Sequence, residues 1–330
     1  MRILVVKLSS LGDLFHALPS VHAIKAHTGA EIDWVVHAAY APLVACFEDV
    51  EHVLPFPRHA LLREGAAFLK CLRAREYDLV LDFQGLLKSA CVTRAARGNR
   101  RLGPSFHREG SRWFYDAVTG PRQLERHAVE QIADVLTFLD VPRQPMCFPV
   151  CFPPPVQPVA KRPHIVLAPV SRWPSKNWPT ERFCSAARIL QETHGATITL
   201  IGAPGEEEIC NHIASALQMP CRNLAGKTSL PEMGSILADA DLLLANDSGP
   251  VHMAAAIGTP VLVVFGPTDP VRIGPYGAGH QILRPSAPCR CGRRRVCAYP
   301  DSPCIASVTV EEVLAAAAAL LTRPAGDQAR

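Results

Sequence analysis

The stretch ANDSGPVHMAAAIGTPVLVVFGPTDP, residues 245–270, decides how the rest of the chain is read. The apolar run ahead of it, LLLA, ends at Asn246. DSGP has turn composition, VHMAAAIG is a small-residue helix, and PVLVVFG is a second buried strand. Together they make half of a βαβ unit. At the turn, Ser248 and Gly249 bring backbone N–H groups and the positive end of a helix dipole to one point at the carboxyl end of a strand. An anion is expected there, a diphosphate above all.

Outward from this stretch the same grammar repeats. RILVV (2–6) is a short apolar strand that runs into KLSSLGDLFHALPSVHAIKAH, a Ser/Gly turn and a helix. EIDWVVH and HVLPFP read as the next strands, a helix follows, and DLVLDFQGLLKSA repeats strand, turn and helix. Residues 100–126 are basic and broken by Gly and Pro, so they read as loop or polar surface; helical periodicity returns over 127–139. Residues 142–163 are rich in proline, which lacks a donor and fixes φ, so this run is neither helix nor central strand and reads as an interdomain linker. Beyond it come HIVLAPV, a helix ending at Gly195, ATITLIG, two more helices, DLLLAND and the opening stretch. VTVEEVLAAAAALLTR closes the chain as a helix ahead of a polar tail.

The expected fold class is therefore α/β. Two doubly wound parallel sheets are expected, with an N-terminal domain over 1–150, a linker over 151–163, a second domain over 164–310 and a terminal helix and tail over 311–330. A length of 330 residues with 48% apolar content fits two domains. With 34 Lys+Arg against 30 Asp+Glu, the charge is too balanced to argue for nucleic acid. No segment reads as a signal peptide or a membrane span, so the chain reads as cytoplasmic and its 12 cysteines not as a disulfide framework.

Three turns of the second half should converge on one sheet edge: SRWPSKNWP with Ser171 and Lys176, GEEE with Glu206, and NDSGPVH with Asp247, Ser248, Gly249 and His252. They supply a point charge for a leaving diphosphate, amides for its oxygens and a carboxylate for ribose hydroxyls. In the first half Gln84, Gly85 and Lys88 lie at a strand's carboxyl end. Asp13, in a first helical turn, is either a helix-capping carboxylate or a general base. Neither a P-loop nor a GxGxxG is present. Asp239 and Asp241 read as structural rather than metal-binding, and a metal-free reacting centre fits better.

Cys289, Cys291, Cys297 and Cys304 fall within PCRCGRRRVCAYPDSPC. Three readings stay open: a zinc or iron site, reduced thiols on a loop, and a redox disulfide. Arg290 and Arg293 to Arg295 would lower nearby thiol pKa values.

KLSSLGDLFHALP, DFQGLLKSA, RHAVEQ, SKNWP, GAPGEEE, the 245–270 stretch and IGPYG, in this order, resemble the glycosyltransferase family 9 heptosyltransferases of lipopolysaccharide core assembly. The resemblance spans nearly the whole chain and leans to the branch that adds the first heptose to Kdo2-lipid A, although the cysteine cluster is more like that of other branches. It implies a GT-B architecture, two Rossmann-like domains facing across a cleft, and an inverting transfer without cofactor or metal at the reacting centre. The donor would be ADP-heptose and the acceptor Kdo2-lipid A or another core acceptor, met at the cytoplasmic face of the inner membrane by peripheral contact. Carried over by motif, Asp13 would be the base and Lys176 would steady the departing ADP. Ser171, Glu206, Thr228, Asp247, Ser248, Gly249 and His252 would line the donor, and Ser10, Gly12, His16, Gln84 and Lys88 the acceptor.

Overall fold

Residues 1–292, 294–301 and 303–322 are described by a computed structural model. Arg293 and the polar tail at 323–330 lie outside the described residues. The chain divides into two units, Met1–Cys151 and one that begins at Phe152.

In the first unit six strands form one sheet: β1 (Arg2–Val6), β2 (Glu31–His37), β3 (His52–Phe56), β4 (Glu76–Asp82), β5 (Arg97–Pro104) and β6 (Ala117–Thr119). Their order is β3-β2-β1-β4-β5-β6, all parallel. β1 is buried along most of its length because both its neighbours and both its faces are covered, which is why it reads as an unbroken apolar run. Leu4, Val6, Val35, Val80 and Tyr77 pack on one of those faces with Leu72 and Phe56.

The second unit repeats the plan with β7 (His164–Ala168), β8 (Thr197–Leu200), β9 (Arg222–Asn223), β10 (Leu242–Asn246), β11 (Val261–Val264) and β12 (Gln281–Leu283) in the order β12-β11-β10-β7-β8-β9. Again every pairing is parallel. The helix Thr180–His194 ends at Gly195, which takes φ +62°, a left-handed conformation that glycine adopts without a Cβ clash. The closing helix Val310–Leu321, capped by Thr309, is part of the same core through Val313, Ala317 and Leu320.

One expectation changes. Residues 100–126 are not merely loop: β5 and β6 lie there, and RGNRRLGP is held as a strand by pairing with β4 and β6 despite its arginines. Strand propensity yields here to the sheet that surrounds it. The proline run, read as an interdomain linker, is held by hydrogen bonds and packing at its start. Val150 bridges Phe47 and the Cys151 N–H donates to the Cys46 carbonyl, whereas Phe152 packs against Gly234 so closely that a Cβ there would lie 2.5 Å from its ring. The Ser235 hydroxyl donates to the Pro153 carbonyl (2.6 Å).

Asn246, fully buried at the end of β10, accepts from the Trp178 N–H (2.9 Å) and donates to the Pro169 carbonyl (2.5 Å), tying β10 to the segment after β7. Asn246→Ala leaves both partners buried and unpaired, and should lower the stability of the second unit by about 2 to 4 kcal/mol. Urea unfolding followed by tryptophan fluorescence measures it, and a change below about 0.5 kcal/mol would contradict this role.

Candidate functional site

In each unit the strand order reverses between its first and fourth strands, β1 and β4 in one, β7 and β10 in the other. Helices leave to opposite sides of the sheet at such a point, so a crevice opens beyond the carboxyl ends of these two strands. Most of the residues expected from the sequence lie at the ends of these strands, whereas Glu206 and Thr228 follow the neighbouring strands β8 and β9.

In the first unit Ser10 is the N-cap of the helix Leu11–Thr28 and Asp13 its third residue. The Ser10 N–H and hydroxyl both donate to Asp13 Oδ2 at 2.8 Å. The capping reading of Asp13 is thus realised, yet 41% of its side-chain surface remains open. Burial acts to raise its pKa, but the Lys7 ammonium, His16 and the Ser10 amide prevail and hold the carboxyl far below the ordinary carboxylate range. His16 is buried, its Nδ1 3.8 Å from Asp13 Oδ1 and its ring edge-on to His127. Gly12 is buried in the same helical turn.

Gln84 joins the two sides of this crevice: its Oε1 accepts from the Leu8 and Ser9 N–H groups (3.2 and 3.0 Å). Lys88 sits in the first turn of the helix Leu87–Ala95, its Nζ 3.4 Å from His37 Nε2. Burial, then Arg58, lower Lys88, with Glu109 opposing. His37 falls to about 4, through burial first and then Lys88, Arg58 and His59.

Two residues here escaped the sequence reading. Lys7 is buried and donates to the Phe83 carbonyl (2.7 Å), supplying positive charge behind Asp13. Asp82 accepts from the Gln84 and Gly85 N–H groups (2.7 and 2.9 Å) and from the Tyr115 hydroxyl (2.7 Å), which shapes the turn that presents Gln84. The signal available was the polar residue at the end of each apolar run, KLSS after β1 and DFQG after β4.

In the second unit Lys176 closes the short turn Pro174–Lys176 and its Nζ lies 2.7 Å from Asp247 Oδ2, with both side chains nearly buried. Asp247 also accepts from the Thr268 hydroxyl (2.5 Å), a contact the sequence did not single out. The Ser171 hydroxyl donates to the Asp247 carbonyl (2.9 Å). Ser248 is the N-cap of the helix Gly249–Ala256 but its hydroxyl makes no cap, and its Oγ is buried without a partner among the described residues. Gly249 opens that helix and His252 lies within it. A Cβ on Gly266 would stand 2.8 Å from the Ser175 carbonyl oxygen and 3.3 Å from Lys176 Cα, so glycine is needed for the GPTDP turn to come this close.

Glu206 and Thr228 lie one and two strands to the side, after β8 and β9. The Glu206 carboxylate accepts from the Ala203 N–H (2.7 Å), and Thr228 is half-buried ahead of the helix Leu230–Ala238. Asp239 and Asp241 are at the opposite end of β10, bound by Arg162 (2.8 and 3.3 Å), as their structural reading requires. The cysteines of the 289–304 loop are free thiols with Cys291 and Cys297 sulfurs 3.4 Å apart. Two groups of three potential ligands lie within 4.8 Å among the described residues, Glu181, Cys184, His212 and Glu31, Asp33, His52, and neither includes that loop.

Chemically, the second crevice offers an unpartnered hydroxyl and a helix N-terminus beside an ammonium, an arrangement suited to a diphosphate. The first offers a carboxylate that stays ionised.

Comparison with known proteins bears on the family and the fold. The family model described as glycosyltransferase family 9 (heptosyltransferase) matches residues 66–302. Lipopolysaccharide heptosyltransferase 1 of Pseudomonas aeruginosa is 32% identical over 323 residues, covering 91% of this chain and 88% of the relative. That of Escherichia coli K12 is 32% identical over 303 residues, covering 86% and 93%. Among solved structures, E. coli heptosyltransferase WaaC with ADP superposes with a TM-score of 0.81 at 28% identity, covering 97% of this chain and all of that one. The two doubly wound sheets are those of the GT-B fold, and the chain belongs to glycosyltransferase family 9, the heptosyltransferases.

Proposed function

We propose that this chain transfers L-glycero-D-manno-heptose from ADP-heptose to a Kdo hydroxyl of Kdo2-lipid A, with inversion, in assembly of the lipopolysaccharide inner core. The observation that carries the donor half is the Ser248 hydroxyl, buried without a partner among the described residues at a helix N-terminus beside the Lys176–Asp247 pair. The similar E. coli enzyme has been solved with ADP and with ADP-2-deoxy-2-fluoro heptose, which supports a nucleotide diphosphate donor.

In this reading the diphosphate lies against the start of the helix Gly249–Ala256 and takes hydrogen bonds from the Ser248 hydroxyl and its turn. Lys176 turns part of its charge toward the leaving oxygens. Asp247 then keeps the Thr268 hydroxyl, so it is not left buried and unpaired. Glu206 and Thr228, after the neighbouring strands, are assigned to the nucleoside. On the acceptor side Asp13 receives the hydroxyl proton. A carboxylate held so far below its ordinary pKa is a weak base, so the proton moves late, as the bond to the anomeric carbon forms and the diphosphate departs.

Lys88, Arg58 and the neutral His37 crowd together with Glu109 as their opposing charge, which suits an acceptor that brings its own anion. Peripheral membrane contact is assigned to the helix Leu61–Leu72, where Leu61, Leu62 and Leu69 are exposed beside Arg58 and Arg63. No helix among the described residues is long and apolar enough to cross a membrane.

A transfer assay with ADP-heptose should give product on Kdo2-lipid A and none on heptosyl-Kdo2-lipid A; the reverse would move the chain to a later core step. Asp13→Asn should lower turnover roughly 100-fold or more and leave ADP affinity within about twofold, and unchanged turnover would remove Asp13 from the chemistry. Lys176→Ala should weaken ADP binding about tenfold by calorimetry, the scale of one charge-assisted hydrogen bond; equal affinity would refute its role. The His37 ring should titrate by NMR near 4, not near the ordinary value of about 6.5. Its neutral form is favoured by folding, so it adds stability above about 6.5 that is lost as pH falls toward 4. Lys88→Met should move that midpoint upward, and an unmoved midpoint would contradict the coupling.

A further inference from the structure

The loop bearing four cysteines is fastened to the turn that carries Lys176. Ser175, 8% exposed, donates its N–H to the Arg295 carbonyl (3.2 Å) and its hydroxyl to the Arg294 carbonyl (2.6 Å). The Arg295 guanidinium and the Lys176 ammonium both lie over the Trp173 ring, 5.7 and 4.9 Å from its centre. From the other side Gly266 closes against the Ser175 carbonyl. The turn is thus clamped between the GPTDP segment and two carbonyls of the thiol loop.

Those two carbonyls belong to residues lying between Cys291 and Cys297, whose sulfurs are in contact at 3.4 Å. A disulfide needs them about 1.4 Å closer. Each sulfur accepts a backbone N–H, Cys291 from Ala298 (3.3 Å) and Cys297 from Tyr299 (3.4 Å), and the Cys297 thiol donates to the Tyr299 carbonyl (3.5 Å), so both sulfurs are held in place beside each other. Cys304 pairs instead with Cys289 through a side-chain hydrogen bond. Cys297 also acts on Cys304, but among the described residues no three of these thiols lie within 4.8 Å of one another, so the Cys291–Cys297 contact favours pairwise sulfur chemistry over one tetrahedral ion.

We propose that Cys291 and Cys297 form a reversible thiol–disulfide modification site whose closure fixes the carbonyls that hold the Lys176 turn. The consequence for ligand binding rests on the donor role proposed for Lys176. The oxidant is a low-molecular-weight disulfide, R–S–S–R. One protein thiolate attacks it and expels RS⁻, giving a mixed disulfide. The second protein thiolate attacks the protein sulfur of that bond, forms Cys291–Cys297 and expels the second RS⁻. The two protons released by the thiols end on the two RS⁻, so two protein thiols are oxidised while one R–S–S–R becomes two RSH.

The full chain, equilibrated in graded reduced and oxidised glutathione, acid-quenched, alkylated and mapped by peptide mass spectrometry, should show a 291–297 linkage that reduction reverses and Cys297→Ser abolishes. By calorimetry the oxidised wild type should bind ADP about threefold more tightly than the reduced form, because the clamp is pre-ordered, and Cys297→Ser should respond to neither buffer. Absence of that linkage, ADP affinity that is equal or weaker on oxidation, or a stoichiometric metal ion held by these thiols in the isolated chain would overturn the proposal. Mapping uses no nucleotide, so its failure counts against the thiol site alone, whereas a reduced wild type that binds no ADP counts against the functional reading.

Discussion

A parallel sheet whose strand order reverses at its middle must leave a gap where the crossover helices part, and this chain makes that gap twice. The gap fixes where polar groups can gather, because elsewhere the carboxyl ends of the strands are roofed by the helices that follow them. Lys7, Asp13 and Gln84 at β1 and β4, and Ser171, Lys176, Asp247 and Ser248 at β7 and β10, stand where the topology puts an opening.

The cost of gathering such groups is met locally. Lys176 and Asp247 are nearly buried, and a buried pair is worth keeping only if each charge has good partners. Asp247 has Thr268 as well as Lys176, while Lys176 also faces the Trp173 ring. The lysine can therefore share its charge with an arriving anion and leave no orphan behind. Asp13 is built the other way: Ser10 and Lys7 hold its ionised form, so the helix start that positions the carboxylate also weakens it as a base. Position and reactivity are set by the same contacts.

The apolar strands were legible because burial on both faces leaves no choice of residue: RILVV, EIDWVVH, DLVLD, HIVLA and LLLAN all fall where their patterns put them. β5, β6, β9 and β12 were not, because they are short or carry charge, and their backbone is held by neighbours rather than by their own side chains. At the site, turn residues such as Asp13, Lys176 and Ser248 stood out by their place after an apolar run. Lys7, Asp82 and Thr268 did not, since a lysine ending a strand or a threonine in a Gly/Pro turn looks ordinary until its partner across 20 or more residues is known. The fastening of Ser175 to residues 294 and 295 spans over a hundred positions and leaves no local pattern at all.

The claim on which the account turns is that the β7–β10 crevice is a diphosphate site. A crystal structure of the chain soaked with ADP tests it most directly. The account predicts the β-phosphate within hydrogen-bond distance of Lys176 Nζ and the Ser248 hydroxyl, with Thr268 still bound to Asp247. ADP seated elsewhere, with the Lys176–Asp247 pair undisturbed and the Ser248 hydroxyl untouched, would contradict it.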